Sequence, residues 1–472
     1  MTLVTKNEVR KQNILYNPNM VKTMTIMALP LFLSNLLKSF HDIVDSFFLA
    51  RMDVVPETIA SSLATINIHW PIYNMFNAFG IGLSIAAVGI ISQYVGAKQE
   101  REAKVYSGKL ITFAFTLGIV VTALLFFSAP LISYLMGAKG QTDEFFIRYL
   151  RYRSFEFPFY YVFAVYQSIR QARGDTVSPV ILSVFSILWN ILFTWLFISI
   201  MNMGIDGAGI STLSAQLVIF PFVLWGLFKS KKHPNVELKD LGYDKNILKE
   251  ISRFAFPSAI SQMLSSLGFA VIQAMILSYG DVVSSGFSTG NRISSLLLNP
   301  AMAIGSVQAA FVGQNIGNNN PDRALKSYKI SRNMSFIFMM VGISIAIPLA
   351  PQLIEAIIGD KNPAINAVAL EYAFWILSTQ PLMALFTNYM SLFNGSGNNK
   401  FSLLMSFVRL WGLRVPLVLF FMYGTTIGYP GIWYAMVISN VLILILGQYL
   451  FRKVDFQKKV KTIDAKPIKA TI

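Results

Sequence analysis

Four ionisable side chains lie close together in the first long apolar segment of the chain, near residues 24–50. They are Lys38, His41, Asp42 and Asp45. On a helix, positions 38, 42 and 45 fall within about 60° of one another, with 41 at the edge of the same face. An ionisable group at the centre of a membrane helix costs about 2.5–3.5 kcal/mol on insertion scales. This face therefore points to a cavity, a partner helix or an ion pathway rather than to lipid.

The spacing along this helix allows two side-chain pairs to form. Lys38 and Asp42 are four residues apart, as are His41 and Asp45, so each pair can touch. A carboxylate beside an imidazole that titrates near neutral pH suits a proton-coupled switch. The alternative is a buried Lys38–Asp42 ion pair that only fixes helix packing. Pro30 lacks an N–H and clashes with the carbonyl four residues back, so it predicts either a hinge or a static kink.

The composition of the whole chain is typical of a membrane protein. The chain is 54% hydrophobic and 13% charged, with a mean hydropathy of +0.55, whereas soluble domains are about 25% charged. The apolar residues are spread along the chain, which argues against a soluble enzyme with a signal peptide or an anchor. The net charge of +16 comes from short loops and from the tail at 452–469. This is the positive-inside pattern, so nucleic acid is not an expected partner.

The sequence lacks the residues that common enzymatic mechanisms need. It contains no phosphate-binding loop of the Gly-x4-Gly-Lys-Ser/Thr type, so ATP hydrolysis by that route is excluded. With three histidines and no cysteine, a metal centre is not expected. We therefore predict no enzyme and no cofactor, and we expect energy to come from a transported proton or sodium ion or from the solute's own gradient.

Twelve apolar spans are long enough to cross a bilayer, which takes about 20 residues each. They lie near 24–50, 59–94, 110–136, 155–172, 177–201, 207–228, 254–279, 287–313, 333–358, 366–393, 401–423 and 430–451. Cations are concentrated in alternate loops, and an even number of spans then places both termini in the cytoplasm. We predict an all-α, multi-pass protein of the inner (plasma) membrane.

The two halves of the chain repeat each other. The motif at 92–96 resembles that at 313–317, so that Gln93 corresponds to Gln314. Three further landmarks recur in the same order and at nearly the same separation along the chain. They are Pro30 with Pro257, Gly174 with Gly397, and Gly204 with Gly428. An ordered series of this kind predicts two six-helix bundles related by an axis along the membrane normal, with the transport site between them.

This repeat predicts the organisation of the chain. Residues 1–228 form an N-terminal lobe of six spans, and residues 254–451 form a C-terminal lobe of six. Residues 229–253 form a cytoplasmic loop between the lobes, and residues 452–472 form a basic cytoplasmic tail.

Several motifs together resemble one family of transporters. They are Ala28-Leu29-Pro30, the segment 45–51, Ser92-Gln93-Tyr94-Val95-Gly96-Ala97, Arg173-Gly174-Asp175-Thr176, the segment 207–212, and Gly313-Gln314-Asn315-Ile316-Gly317. The chain is similar to the MATE (multidrug and toxic compound extrusion) family of the multidrug/oligosaccharidyl-lipid/polysaccharide exporter superfamily. The acid at Asp45 makes the DinF-like branch the nearest. The resemblance implies a V-shaped pair of six-helix lobes and antiport of organic solutes against protons or sodium.

The resemblance also implies an ion-coupling site in the N-terminal lobe. The matching positions are Asp45 in the first helix, Gln167 in the fourth, Asn190 in the fifth and Thr212 at the start of the sixth. The family's fifth-helix aspartate falls on Thr194, so that acid is missing here. Asp42 and His41 complete the predicted ion-coupling set.

A second set of side chains is predicted to line a substrate cavity. It comprises Lys38, Glu156, Tyr160, Arg409 and Arg414. Glu156 follows Arg153 by three residues, so pairing with it is the alternative to a transport role. Aromatic rings such as Tyr160 suit organic cations, although membrane-interface aromatics and ordinary helix packing are the more frequent explanation. Arg409 and Arg414 suit an anionic head group or phosphate, but five residues apart on a helix they are not expected to face one direction.

Three functions remain open from the sequence. The first is export of amphipathic organic solutes or drugs by antiport, with Asp45 as coupling carboxylate and Pro30 as hinge. The second is export or flipping of an anionic lipid-linked or polar metabolite by Lys38, Arg409 and Arg414, which a positively charged cavity would favour. The third, a channel or structural membrane protein, fits the two-lobe repeat poorly. The expected partners are a small-molecule solute and the lipid bilayer, and a monomer is expected.

Overall fold

The computed structural model describes residues 14–49, 52, 55–229, 235–358, 363–457 and 460, but not the side chains of residues 38–47 and 357–358. Within this part of the chain all regular structure is helical, and the helices fall at the twelve predicted spans. The prediction of an all-α membrane fold is therefore confirmed.

The first six spans make up the N-terminal half of the chain. Their helices are Met20–Leu49, Pro56–Gly96, Glu100–Leu135, the pair Gln141–Ser154 and Phe157–Ala172, then Val177–Thr194 with the π-helix Trp195–Ile200, and Gly204–Phe228. The fourth span is broken just before Pro158, because proline has no N–H with which to continue the hydrogen-bond ladder. Pro30 lies inside the first helix, which continues through it.

The last six spans make up the C-terminal half. Their helices are Lys245–Leu277, Asp281–Gly317, Pro321–Ile358, the pair Pro363–Ser378 and Gln380–Gly395, then Asn399–Phe407 with the π-helix Val408–Arg414 and Val415–Gly424, and Pro430–Phe451. Among the described residues ten helices are long and apolar enough to cross a membrane, and the tenth span, bent by 50°, makes eleven. The remaining span is the fourth, whose two helices have 14 and 16 residues.

The repeat between the halves extends to irregular backbone. Lys98 and Asn319, which directly follow the two copies of the motif, both adopt positive φ, at 61° and 55°. The corresponding glycines Gly174 and Gly397 do the same at 85° and 79°, a conformation that glycine adopts without steric cost. Both halves also carry a broken helix in their fourth span and a π-helix in their fifth. The two halves therefore share their positive-φ turns and a broken fourth span as well as their sequence landmarks, whereas their π-helices, Trp195–Ile200 and Val408–Arg414, occupy different positions along the fifth span.

The two halves meet most closely at the end of the bundle that carries the basic loops, and the repeated motif makes this contact. Gly96 packs on the backbone of Gln314, and Gly317 packs on the backbone of Gln93. A Cβ atom on either glycine would overlap the facing carbonyl oxygen. Small residues of this kind allow membrane helices to approach backbone to backbone. We call these four residues the seam.

The two glutamines of the seam exchange hydrogen bonds between the halves. Gln93 Nε2 donates to the Gly395 carbonyl at 3.3 Å, and Gln314 Nε2 donates to the Ala172 carbonyl at 2.6 Å. Both glutamines are buried, so their amides need partners inside the protein. The acceptors are also related by the repeat, because each stands two positions before a glycine of the pair Gly174 and Gly397. The seam is therefore a reciprocal contact that closes the basic end.

Replacing Gly96 with alanine places a methyl group against the Gln314 carbonyl oxygen. Because the obstacle is backbone, the second and eighth spans must move apart, and we expect the closed seam to be destabilised by about 1–3 kcal/mol. Spin labels on the two halves near the basic end should report longer and broader distances by double electron–electron resonance.

Gly342→Ala is the matched control, because the nearest atom to its new Cβ is Leu297 Cδ2 at 3.2 Å, the flexible end of a side chain. Distances in Gly96→Ala that match those of the wild type and of this control would contradict the role given to the seam.

Candidate functional site

A cavity of about 520 Å³ lies between the two halves. Its walls come from the first, second and fourth spans of one half and from the seventh, eighth, tenth and eleventh spans of the other. The lining of the second span reaches Val88 and that of the eighth reaches Ala309, each one helical turn from the seam motif. The seam therefore closes this central cavity on the side of the basic loops.

Most hydrogen-bonding groups in the wall of the central cavity are neutral. They belong to Asn35, Ser84, Gln167, Ser168, Gln171, Ser261, Gln262, Ser265, Ser306, Thr387, Ser391, Asn394 and Ser406. Among the described residues, Arg409 is the one charged side chain in this wall and no carboxylate lines it. The side chains of Lys38, His41, Asp42 and Asp45 lie outside the described part of the chain.

Arg409 is held by soft, uncharged contacts. Its Nη1 lies 3.6 Å from Met383 Sδ, and its guanidinium group lies 4.5 Å from the centroid of the Phe386 ring. A thioether is a weak acceptor, and a ring face attracts a cation without neutralising it. No ion pair within the described residues involves Arg409. Within the described part of the chain its positive charge therefore has no neutralising partner.

Arg414 turns out to share a cavity with Arg409, against the expectation that the two face different directions. Both line a second cavity of about 240 Å³ within the C-terminal half. The reason is the π-helix Val408–Arg414, in which hydrogen bonds join residues five apart and so bring positions 409 and 414 onto one face. Arg414 donates to Ser439 Oγ at 3.0 Å and to Asn440 Oδ1 at 2.6 Å.

Three of the predicted ion-coupling residues come together between the fifth and sixth spans. Asn190 Nδ2 donates to Thr212 Oγ1 at 3.2 Å, and Thr194 Oγ1 donates to Ser211 Oγ at 2.9 Å. All four side chains are buried. Gln167, placed in the same set by the resemblance, lies instead in the wall of the central cavity.

Glu156 and Tyr160 lie away from the central cavity, although both are in the predicted substrate set. Glu156 is 2% exposed, and its Oε2 lies 3.2 Å from Arg153 Nη1. The Arg153 guanidinium in turn stacks over the Tyr73 ring at 5.3 Å. Tyr160 packs beside Tyr161, with ring centroids 6.1 Å apart. Both residues therefore pack within the N-terminal half, whereas Gln167 and Gln171 further along the same helix line the central cavity.

Gln171 was not singled out from the sequence, yet it joins the two halves at the cavity. Its Nε2 donates to the Ser306 carbonyl at 2.6 Å and to Ser306 Oγ at 2.7 Å. The signal that could have found it is its position four residues after Gln167, which places both amides on one helix face. A pair of neutral amides is common in helices, so the sequence alone gives it little weight.

Comparison with known proteins agrees with this architecture. The family model MatE matches residues 30–196 and 257–420, one match in each half. The probable multidrug resistance protein YoeA of Bacillus subtilis (strain 168) is 24% identical over 447 residues, which cover 92% of this chain and 94% of that protein. The FAD transporter of Shewanella oneidensis is 24% identical over 456 residues and 95% of each chain.

The fold is also that of a solved transporter structure. A transporter of the MOP superfamily from Pyrococcus furiosus, described with a binding pocket of reverse polarity that suggests a different function, matches with a TM-score of 0.86. The two share 21% sequence identity, over 97% of this chain and 99% of that one. Members of the matched family are membrane transporters rather than enzymes. With one match in each half, and with the same fold throughout, the chain belongs to the MatE family.

Proposed function

We propose that this protein is a secondary active transporter that exports organic solutes carrying a negative charge, by antiport against protons or sodium ions. The observation that supports this proposal is the charge of the central cavity, where Arg409 is the one charged group among the described lining residues. A guanidinium in a partly dehydrated wall attracts a carboxylate or phosphate and repels an organic cation. The sequence left both substrate classes open, and the cavity favours the anion.

Alternating access between two lobes is the mechanism that fits this arrangement. The lobes are residues 1–228 and 254–451, and the connection 229–253 between them includes the start of the helix Lys245–Leu277. The basic loops place the seam, both termini and the tail 452–472 on the cytoplasmic side. The central cavity then faces outward, and the seam must separate before a solute can enter from the cytoplasm. Pro30, in the first helix beside the cavity, is the proposed hinge.

The names of two relatives are in keeping with an anionic substrate. The Shewanella oneidensis relative is an FAD transporter, and FAD carries a negatively charged diphosphate. The Pyrococcus furiosus transporter is described as having a pocket of reverse polarity. Both proteins are less than 25% identical to this chain, so they support the substrate class and not a particular solute.

A second candidate function is export of amphipathic organic cations, which would make this protein a multidrug transporter. The apolar part of the central cavity favours it, because Met302, Met383, Met390 and Phe386 line one wall. Methionine side chains adapt to ligands of different shape. The Bacillus subtilis relative is named as a probable multidrug resistance protein.

Transport by purified protein in liposomes separates the two substrate classes. We expect wild-type protein to move a fluorescent organic anion faster than ethidium. We also expect Arg409→Gln to reduce anion transport at least about tenfold, which corresponds to the loss of one charge-assisted contact of about 1.4 kcal/mol.

Arg452→Gln is the matched control, because Arg452 is exposed beyond the end of the twelfth span, and it should transport normally. Transport of ethidium alone, or an Arg409→Gln protein as active on anions as wild type, would favour the second candidate.

The coupling role proposed for Asp45 is tested by imposing a pH or sodium gradient across the same liposomes. We expect Asp45→Asn to lose gradient-driven transport while it retains exchange of labelled for unlabelled solute, because exchange needs alternating access but no ion. Asp281→Asn, at an exposed helix start, should behave as wild type. Full gradient-driven transport by Asp45→Asn would remove Asp45 from the coupling mechanism. The assignment to the DinF-like branch rests on this same residue.

A further inference from the structure

The cavity within the C-terminal half has the features of a separate binding site. It measures about 240 Å³ and lies between the seventh, eighth, tenth, eleventh and twelfth spans. Pockets for drug-sized ligands occupy about 300–1,000 Å³, so this volume suits a small ion with its water rather than the transported solute. We call it the C-half cavity.

The π-helix gives the C-half cavity two positive charges. Arg409 and Arg414 lie at its start and at its end, and both line the cavity. A regular α-helix would direct side chains five residues apart about 140° away from one another.

Neither arginine has a counter-ion within the part of the chain that the structure describes. Arg414 donates to the neutral side chains of Ser439 and Asn440. Arg409 contacts a thioether and a ring, and its buried Nε has no hydrogen-bond acceptor among the described residues. No described Asp or Glu lines the C-half cavity. Unpaired charges at membrane depth are costly, so the site as described lacks one negative charge or more.

The remaining polar groups of the C-half cavity can complete an anion site. Asn291, Ser294 and Gln380 line it beside the two guanidinium groups, and the Tyr372 hydroxyl donates to Asn291 Oδ1 at 3.3 Å. Amide N–H and hydroxyl groups bind an anion without adding charge of their own. Two fixed guanidinium groups with neutral donors around them match the coordination of a small anion.

In the repeat, this site is equivalent to the hydrogen-bonded pair Asn190 and Thr212 of the N-terminal half. The separation that relates Gly204 to Gly428 makes Arg414 the counterpart of Asn190, and Asn440 lies about one helical turn beyond the counterpart of Thr212. Each half thus has a hydrogen bond between its fifth and sixth spans, from Asn190 to Thr212 in one and from Arg414 to Asn440 in the other. The same position carries a neutral amide in one half and a cation in the other.

From these observations we propose that the C-half cavity binds one small inorganic anion of the size of a halide, held by Arg409 and Arg414. The anion offsets part of the positive charge of the two half-buried guanidinium groups and so stabilises the C-terminal half. Arg409 lines both cavities, whereas Arg414 lines the C-half cavity and not the central cavity, so Arg414 is the residue that distinguishes this site from the proposed solute site.

The anion's effect on stability tests the proposal directly. Ligands that bind only the folded state raise the unfolding temperature in a saturable way. Purified protein in detergent is titrated with chloride against a constant background of gluconate, which is too bulky for the site. We expect a rise of several degrees that saturates in wild type and is absent in Arg414→Gln. No rise in wild type, or an equal rise in Arg414→Gln, would overturn the proposal.

An isosteric change covers the case in which Arg414→Gln does not fold. Asn291→Asp keeps the acceptor used by Tyr372 but supplies a carboxylate inside the cavity. We expect this variant to be more stable than wild type in gluconate and to lose the chloride effect. Asn246→Asp, at an exposed helix start, is the matched control and should keep it. A chloride effect of wild-type size in Asn291→Asp would place the anion elsewhere.

Two measurements decide whether the C-half cavity holds an inorganic anion or the transported organic anion. They are the position of a bound bromide and its competition with the organic anion. Crystals grown in bromide should show an anomalous peak between the two guanidinium groups, and the absence of a peak there would count against the site. If a transported organic anion displaces bromide and stabilises wild type but not Arg414→Gln, the cavity belongs to the solute and the inorganic site is refuted. If wild-type protein does not transport organic anions but chloride still raises its unfolding temperature, only the proposed function is refuted.

Discussion

The backbone contact of Gly96 and Gly317 with the opposite half is the constraint on which the rest of the architecture depends. Inside a bilayer, two apolar helix faces gain little by leaving lipid for each other, so close packing and hydrogen bonds must hold them together. The seam provides both, because the glycines allow backbone contact and Gln93 and Gln314 bind carbonyls across it. These carbonyls, of Ala172 and Gly395, belong to the last residues of their helices, where carbonyls lack partners within the helix.

The position of the central cavity follows from this contact. Spans that touch at the seam and separate beyond it leave a space lined from Val88 and Ala309 onward. Val460 strengthens the contact at the seam. Its N–H donates to Gln93 Oε1 at 2.8 Å, and its side chain is buried against the core of the N-terminal half. One glutamine side chain therefore joins the N-terminal half to the tenth span through Gly395 and to the tail through Val460.

Much of this fold could be predicted from the sequence, because apolar spans and repeated landmarks depend on composition and order. The motif pair at 92–96 and 313–317 proved to be a mutual contact, and Asn190, Thr194 and Thr212 lie in one buried network. The joint position of Arg409 and Arg414 could not be predicted. A prediction of which helix face a residue occupies assumes 3.6 residues per turn. The sequence of the segment Val408–Arg414 does not predict a π-helix. Glu156 forms the ion pair with Arg153 that their spacing of three residues allowed as the alternative to a transport role.

The two halves are alike in backbone and unlike in charge, and this difference has a physical consequence. Among the described residues, the hydrogen bonds between the fifth and sixth spans of the N-terminal half join only hydroxyl and amide groups. The eleventh span, which is equivalent to the fifth, contributes two guanidinium groups to the C-half cavity. At low dielectric, fixed charge determines which ion can enter a site. A neutral, oxygen-rich set of side chains suits a cation or a proton, whereas a pair of guanidinium groups suits an anion. One repeated fold thus carries side chains of different charge at equivalent positions of its two halves.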